Sequence, residues 1–242
     1  MKYMLIHCID ETAEYPPEGG RPTFDAWFAE MLDRGVTRHG DRLRDTSDAT
    51  TVQVRDRDVL VSDGPFAETK EQIAGYDVIE CPNLDEAIEV AAKHPVASFG
   101  SVEVRPFDSG GWWRSADQRG PGDDPDYLMI HCLDETAELS PADDSDVPGS
   151  PAARDQQAWD AGLEARGVKL AGGRLEPASA ARTVRVRDGQ VLVTDGPFAE
   201  TKEQVAGLNV LTCPSLSDAV QIASRHPTAR IGTFELRPLA PS

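Results

Sequence analysis

Histidines and carboxylates at matching places in two halves of the chain are the residues best suited to chemistry. His94 and His226 each precede a proline, at the end of a segment with helical apolar spacing. An imidazole titrates nearest neutral pH, so beside an orienting carboxylate it can take up and return a proton. Candidates for that carboxylate lie in Asp63-Gly64-Pro65-Phe66-Ala67-Glu68-Thr69-Lys70-Glu71-Gln72, which recurs letter for letter at 195–204. Two candidate catalytic pairs follow, Asp63 with His94 and Asp195 with His226. Glu68 and Glu200 are candidate ligand contacts in the same stretch. The plainer alternative makes each histidine a helix C-terminal cap, a cation meeting the negative end of the dipole.

His7 and His131 lie in a first strand, where alternation sends His7 and Cys8 to opposite faces and so away from a shared metal. If their face lines a space between sheets, the two histidines are candidate ligand contacts; otherwise they are buried and satisfied. Arg105 and Arg237, each two residues after a glutamate on a last strand, either bind an anionic group or close an ion pair with Glu103 or Lys70 in the first half and their counterparts in the second. His39 has Ala171 at its matching place, so it can make one half distinct. No metal-binding or nucleotide-cradling motif is present, and no cofactor is implied.

The elements that must position these residues occur twice. Tyr3–Asp10 recurs at an offset of 124, and every later match, from Trp27/Trp159 to Arg105/Arg237, at 132. The additional residues fall within 139–153, read as a mobile inserted loop, and 108–126 reads as a linker that Trp112 and Trp113 pin to one unit. The expected domains are 1–107 and 127–240. In the first copy Tyr3–Cys8 reads as a strand. Phe24, Trp27, Phe28, Met31 and Leu32 mark an amphipathic helix, capped by Thr23 and stopped at Gly35. Val36–Leu43 is a second strand, and Thr51–Arg55 with Val59–Ser62 a hairpin, whose turn in the second copy is the stronger Asp188-Gly189. Ala74–Glu80 is a strand, Leu84–Lys93 a helix and Ser101–Pro106 a last strand. This βαββαβ order is that of a ferredoxin-like unit, helices on one sheet face. Two such units can cover each other's bare faces, giving an α+β fold with sheet packed to sheet as a pseudo-twofold barrel.

Composition narrows the function. Forty-two acidic against 24 basic side chains give a formal charge of −18, which repels phosphate backbones and anionic membranes. No apolar run suits a bilayer span and the opening segment lacks a signal-peptide core, so a cytoplasmic location is expected. The four cysteines pair by repeat, Cys8 with Cys132 and Cys81 with Cys213, and read as packed free thiols. The expected partner is a small molecule, and the expected assembly a monomer holding an internal pseudo-dimer, or a higher assembly of it.

Retention between the halves is uneven. Val59–Pro82 and Val191–Pro214 share 18 of 24 positions, whereas Pro22–Arg34 and Arg154–Arg166 share four of 13. Turn chemistry accounts for Asp63 to Phe66; five polar residues from Glu68 to Gln72 ask for more. The stretch resembles the DGPF motif of YCII-related proteins, and the resemblance runs through Lys2-Tyr3-Met4-Leu5, Ala74-Gly75 and Val102-Glu103-Val104-Arg105-Pro106, with Phe234-Glu235-Leu236-Arg237-Pro238 closing the second copy. It implies ferredoxin-like units associating as dimeric α+β barrels, the duplication replacing the dimer. It implies no single activity. Some relatives are enzymes, such as a dehydrochlorinase of chlorinated hydroquinones, and a His-Asp pair has been proposed as their shared site. Others lie beside sigma-factor genes, which suggests regulation. Two functions are therefore expected in alternative: cofactor-free proton transfer, elimination or isomerisation on a small molecule, or a non-catalytic accessory role.

Overall fold

A computed structural model describes residues 1–13, 23–108, 112–113, 124–137 and 147–240. In chain order the first half holds β1 (Lys2–Ile9), α1 (Phe24–Asp33), β2 (Thr37–Arg42), β3 (Thr50–Arg55), β4 (Asp58–Asp63), β5 (Gln72–Glu80), α2 (Leu84–Lys93) and β6 (Ser101–Pro106). After β7 (Trp112–Trp113) the second half repeats it: β8 (Asp126–Leu133), α3 (Pro151–Ala165), β9 (Lys169–Arg174), β10 (Arg182–Arg187), β11 (Gln190–Asp195), β12 (Gln204–Thr212), α4 (Leu216–Ser224) and β13 (Thr233–Pro238).

Local chemistry explains the elements. Thr23 accepts the Ala26 N–H at 3.2 Å and starts α1, and Gly35 ends it at φ 65°. Asn83 caps α2 by accepting the Glu86 N–H at 2.9 Å. Only Trp27 and Met31 of the α1 apolar set are buried. Phe24, Phe28 and Leu32 remain exposed, because the sheet beneath covers a narrower stripe than the apolar spacing offers.

The sheets run β11-β10-β6-β1-β5-β2 and β4-β3-β13-β8-β12-β9-β7. Within each, the order β6-β1-β5-β2, or β13-β8-β12-β9, is the antiparallel ferredoxin-like core. The middle hairpins do not stay at home. β3–β4 leaves the first unit and joins β13 through Phe234↔Val52, while β10–β11 joins β6 through Val102↔Val184. Each sheet is thus completed by the other unit's hairpin. Trp112 and Trp113 pair with Gly172 and Ala171 of β9, tying that segment to the second unit's sheet; most of the expected linker and the front of the expected inserted loop lie outside the described residues.

The bare sheet faces meet. Met4, Ile6, Cys8, Tyr76 and Val78 pack with Leu128, Ile130, Cys132, Leu208 and Val210 in one apolar layer. Burying each large side chain of this kind contributes about 1.5–3 kcal/mol relative to exposure. Bridges Leu43↔Leu239 and Phe107↔Leu175 join the sheets at two corners. The other faces carry the helices, over Tyr3, Leu5, Ile79 and Val104 in the first unit. All four cysteines are free and buried. Among the described residues no helix is long and apolar enough to cross a membrane.

Candidate active site

His7 alternates with Tyr3 and Leu5, so it lies on the helix side of β1 and not in the layer between the sheets. The condition under which His7 and His131 were candidate ligand contacts, a face lining a space between the sheets, is not met: Met4, Ile6 and Cys8 take the inter-sheet face of β1, and His7 is among the buried alternatives weighed from sequence. β1 and β5 pair antiparallel, with His7 opposite Gly75, and Asp77 two residues on shares its face. Two glycines make the room. A Cβ on Gly40 would stand 2.0 Å from Asp77 Oδ1, and one on Gly75 would stand 3.1 Å from His7 Nδ1. His94 arrives from the end of α2.

The three side chains converge. His7 Nε2 is 3.0 Å and His94 Nε2 3.6 Å from Asp77 Oδ2, and the imidazoles stack with centroids 4.0 Å apart. Exposures are 6% for His7, 1% for Asp77 and 3% for His94. These short separations do not amount to formed hydrogen bonds: all three facing atoms are without one. Trp27, fixed by its indole N–H donating to Val90 O at 3.2 Å, stands edge-on to His94 at 4.6 Å.

His94 does hold the C-cap position of α2 considered from sequence, but not as a cation. The Val96 backbone N–H donates to its Nδ1 at 3.2 Å, so the ring caps the following turn as an acceptor. A neutral ring accepting at Nδ1 carries its proton on Nε2, aimed at Asp77. Burial pushes His7 down to about 3 and His94 well below the ordinary imidazole range; for His94 the neighbouring His7 adds to this and Asp77 opposes it. Burial pushes the Asp77 carboxyl up from 3.8 to about 7, against the opposing pull of His94. Both rings are therefore neutral near pH 7, and the proton in play there belongs to the carboxyl. Geometrically the three donor atoms, all within 4.8 Å of one another, could surround a metal ion. The chemistry fits one poorly, because a ligating imidazole normally donates its other N–H, whereas His94 Nδ1 accepts.

The second unit builds the frame without the acid. His131 and His226 meet edge-on at 4.4 Å, Trp159 stands 4.5 Å from His226, and the Thr228 N–H donates to His226 Nδ1 at 3.2 Å. Asn209 replaces Asp77, its amide nitrogen 2.9 Å from His131 Nε2. The rims differ too. Phe24 (44% exposed) adjoins the first site, 5.9 Å edge-on from His94, and Phe28 (38%) stacks on Phe24; Gln156 and Asp160 occupy their places in α3.

The other sequence candidates lie elsewhere. Asp63 ends exposed β4 opposite Thr50, in the sheet completed by β13, because the hairpin exchange carries it out of its own unit. The carboxylate beside His94 is Asp77, so the Asp63–His94 pairing is corrected to Asp77–His94. Asp195 likewise ends β11, 3.0 Å from Arg182 Nε, and the residue at the place of Asp77 in the second unit is Asn209. Arg105 is fully buried, 2.5 Å from Glu103, and donates to the carbonyls of Val205 at 3.0 Å and Glu176 at 3.2 Å in the other unit. Arg237 repeats this with Glu235, Ile73 O and Arg44 O. Both arginines thus hold the ion-pair position weighed from sequence, with no face open to a ligand. Glu68 and Glu200 are exposed at the surface, and nothing in the structure explains their retention. His39 stacks on Tyr76 and shares a 3.0 Å hydrogen bond with its hydroxyl, on the face opposite Asp77.

Sequence reasoning passed over Asp77. Its signal was an acid inside an otherwise apolar strand, Ile73-Ala74-Gly75-Tyr76-Asp77-Val78-Ile79, and one of only six differences between the two 24-residue stretches.

The YCII-related domain profile matches residues 1–108 and again 129–242. An uncharacterized protein of Rhizobium meliloti (strain 1021) is 46% identical over 69 residues, 28% of this chain and 56% of that protein; the chain thus spans little over half the length of the curated relative it matches. With both halves of its fold and both halves of its sequence matching one domain, the chain belongs to the YCII-related domain family as a tandem of two such units.

Proposed function

We propose that the first unit carries a cofactor-free acid–base site that binds a small molecule with an apolar or aromatic portion and moves a proton on it, in an elimination or isomerisation. The observation that carries this reading is the convergence of His7, Asp77 and His94, three buried groups whose reactive atoms face one another with no formed hydrogen bond. Groups desolvated in this manner are costly to fold around, and they cluster where proton transfer is needed. Asp77 is the proton carrier, since its carboxyl changes state near neutrality. His94 Nε2–H faces it and stabilises the carboxylate once the proton has left. His7, its Nε2 3.0 Å from Asp77 Oδ2, stays neutral and positions the carboxyl, which itself takes the proton from the substrate and returns it. Trp27, Phe24 and Phe28 supply the apolar side of the site and exclude water, which strengthens each electrostatic contact.

The test needs no known substrate. Proton abstraction from carbon in D2O leaves deuterium in the recovered molecule. The full chain is incubated in D2O with a panel of small ketones, hydroxy acids and substituted phenols, and mass spectrometry reads the label. Enzyme-dependent exchange that is lost in Asp77→Asn and His94→Gln is the expected result. Exchange indifferent to both substitutions, or no exchange together with no binding to any panel member, refutes the assignment.

A further inference from the structure

Two strands bury almost none of their side chains. β4 and β11 are the outermost strands of their sheets, and every residue in both is exposed. Val59, Leu60 and Val61 are about half exposed, as are Val191, Leu192 and Val193. An edge strand presents a row of backbone donors and acceptors ready to pair with another strand, and proteins blunt such edges with lysine, proline or a bulge. Neither strand contains lysine or proline. Both pair with their hairpin partners over six residues without a register shift, so no bulge turns them away.

The apolar centres are the same Val-Leu-Val, so apolar character does not choose between the edges. Charge does. β4 has a carboxylate at each end, Asp58 and Asp63. β11 has Gln190 at one end and Asp195 at the other, and Asp195 Oδ1 lies 3.0 Å from Arg182 Nε. Full antiparallel pairing of β4 with a second β4 sets Asp58 against Asp63 twice, and like charges directly opposite are destabilising. Pairing β11 with a second β11 sets Gln190 against Asp195 twice and Leu192 against Val193 about the twofold axis. A mixed β4–β11 contact opposes Asp58 and Asp195, and it is heterologous, so it builds rings or filaments and not a twofold dimer. A chain with a formal charge of −18 resists such growth.

We propose that two copies of this chain pair through β11, joining their two six-stranded sheets into one continuous antiparallel sheet about a twofold axis. The surface is independent of the acid–base site. The strands meet edge to edge, and the valine and leucine side chains on both faces of the new ribbon cover one another across the axis.

Sedimentation velocity over a concentration series, with the full chain, tests this. Wild type is expected at twice the chain mass of 26.2 kDa. Leu192→Lys is expected to sediment as a monomer with unchanged circular dichroism, while Leu60→Lys, at the equivalent place on β4, stays dimeric. Gln190→Asp alters only an exposed side chain and gives β11 the charge pattern of β4; it should weaken association at least tenfold, and Gln190→Lys should tighten it. A wild type that remains monomeric throughout the series overturns the proposal. So does dissociation by Leu60→Lys but not Leu192→Lys, or an association constant indifferent to both Gln190 substitutions.

Discussion

The two halves of this chain agree where they hold each other and differ where chemistry is possible. The ten-residue stretch is identical in both, and, exposed Glu68 and Glu200 apart, its contacts are architectural. The Phe66 N–H donates to Glu235 at 3.0 Å and the Phe198 N–H to Glu103 at 2.9 Å, each reaching across to the other unit. Gly64 and Gly196 turn the chain at φ 97° and 96°. The Gln72 amide donates to the carbonyls of Ala67 and Thr69, and Gln204 repeats this with Ala199 and Thr201. The candidate site, by contrast, has exchanged Asp77 for Asn209 and an aromatic rim for a polar one. Retention between duplicated halves therefore measures the demands of the shared interface. A site freed from duty in one half drifts.

The largest expected effect separates the two sites by their acid. Asp77→Asn should lower deuterium exchange by about 10²–10⁴-fold, the range general acid–base catalysis contributes. Substituting His131 or His226 by Gln should leave exchange unchanged. Asn209→Asp in the Asp77→Asn background should restore only a minor part of it, since Gln156 and Asp160 stand where Phe24 and Phe28 stand in the first unit. Full restoration would show that the rim is irrelevant and the halves differ by one atom group.

The staples should show the opposite behaviour, equality. Glu103→Ala leaves Arg105 buried without its partner and the Phe198 N–H without its acceptor. Breaking a buried ion pair from one side costs about 3–5 kcal/mol. Glu235→Ala should cost the same within error in urea denaturation, because Arg237 and Phe66 sit in the same geometry. Unequal costs would mean that the two corners are not equivalent.

How much of this was legible beforehand follows from what each signal depends on. Helix α2 and strand β6 are set by local periodicity and caps, and their limits are readable from Leu84–Lys93 and Ser101–Pro106. The packing of sheet on sheet follows from helices covering one face only. The exchange of hairpins is not readable, because β3 and β10 carry the same alternation whichever β6-type strand they join. That one ambiguity misplaced Asp63, and with it the partner of His94. The His94 ring was recognised as a cap or a catalyst; that it accepts at Nδ1 depends on the Val96 N–H, a matter of geometry and not of residue type.

The acid should also mark stability with a pH signature that only one half possesses. Asp77 has a folded pKa of about 7, raised above its ordinary value of 3.8. Such a group stabilises the fold fully below the unfolded value and loses that contribution as pH rises through about 7. His7 and His94 are lowered, so their contribution is present above an ordinary imidazole pKa and fades as pH falls. Asp77→Asn removes the first trend and keeps the second. Its unfolding free energy in urea denaturation should gain on wild type from about pH 5 to pH 8, by on the order of 2–4 kcal/mol at the upper end. Asn209→Asp should introduce the same loss at high pH into the second half. A wild-type to Asp77→Asn difference that is flat across this range would show that burial does not perturb the carboxyl.

The smallest effect lies at the turns of the exchanged hairpins. Asp56 and Arg57 have φ of 51° and 74°, and Asp188 and Gly189 have φ of 51° and 74°, so both turns have the same backbone. Glycine adopts that second position without a Cβ clash, whereas an L side chain there costs about 1–2 kcal/mol. Glycine also has more freedom to lose on folding, which offsets part of the gain. Arg57→Gly should therefore stabilise the chain by about 0.5–1 kcal/mol, and Gly189→Arg should destabilise it by a similar amount. Because β3–β4 completes the second unit's sheet, the gain belongs to the interface and should appear in the single unfolding transition of the whole chain. If Arg57→Gly instead raised only an early, separate transition, the hairpin would be melting ahead of the sheet it completes.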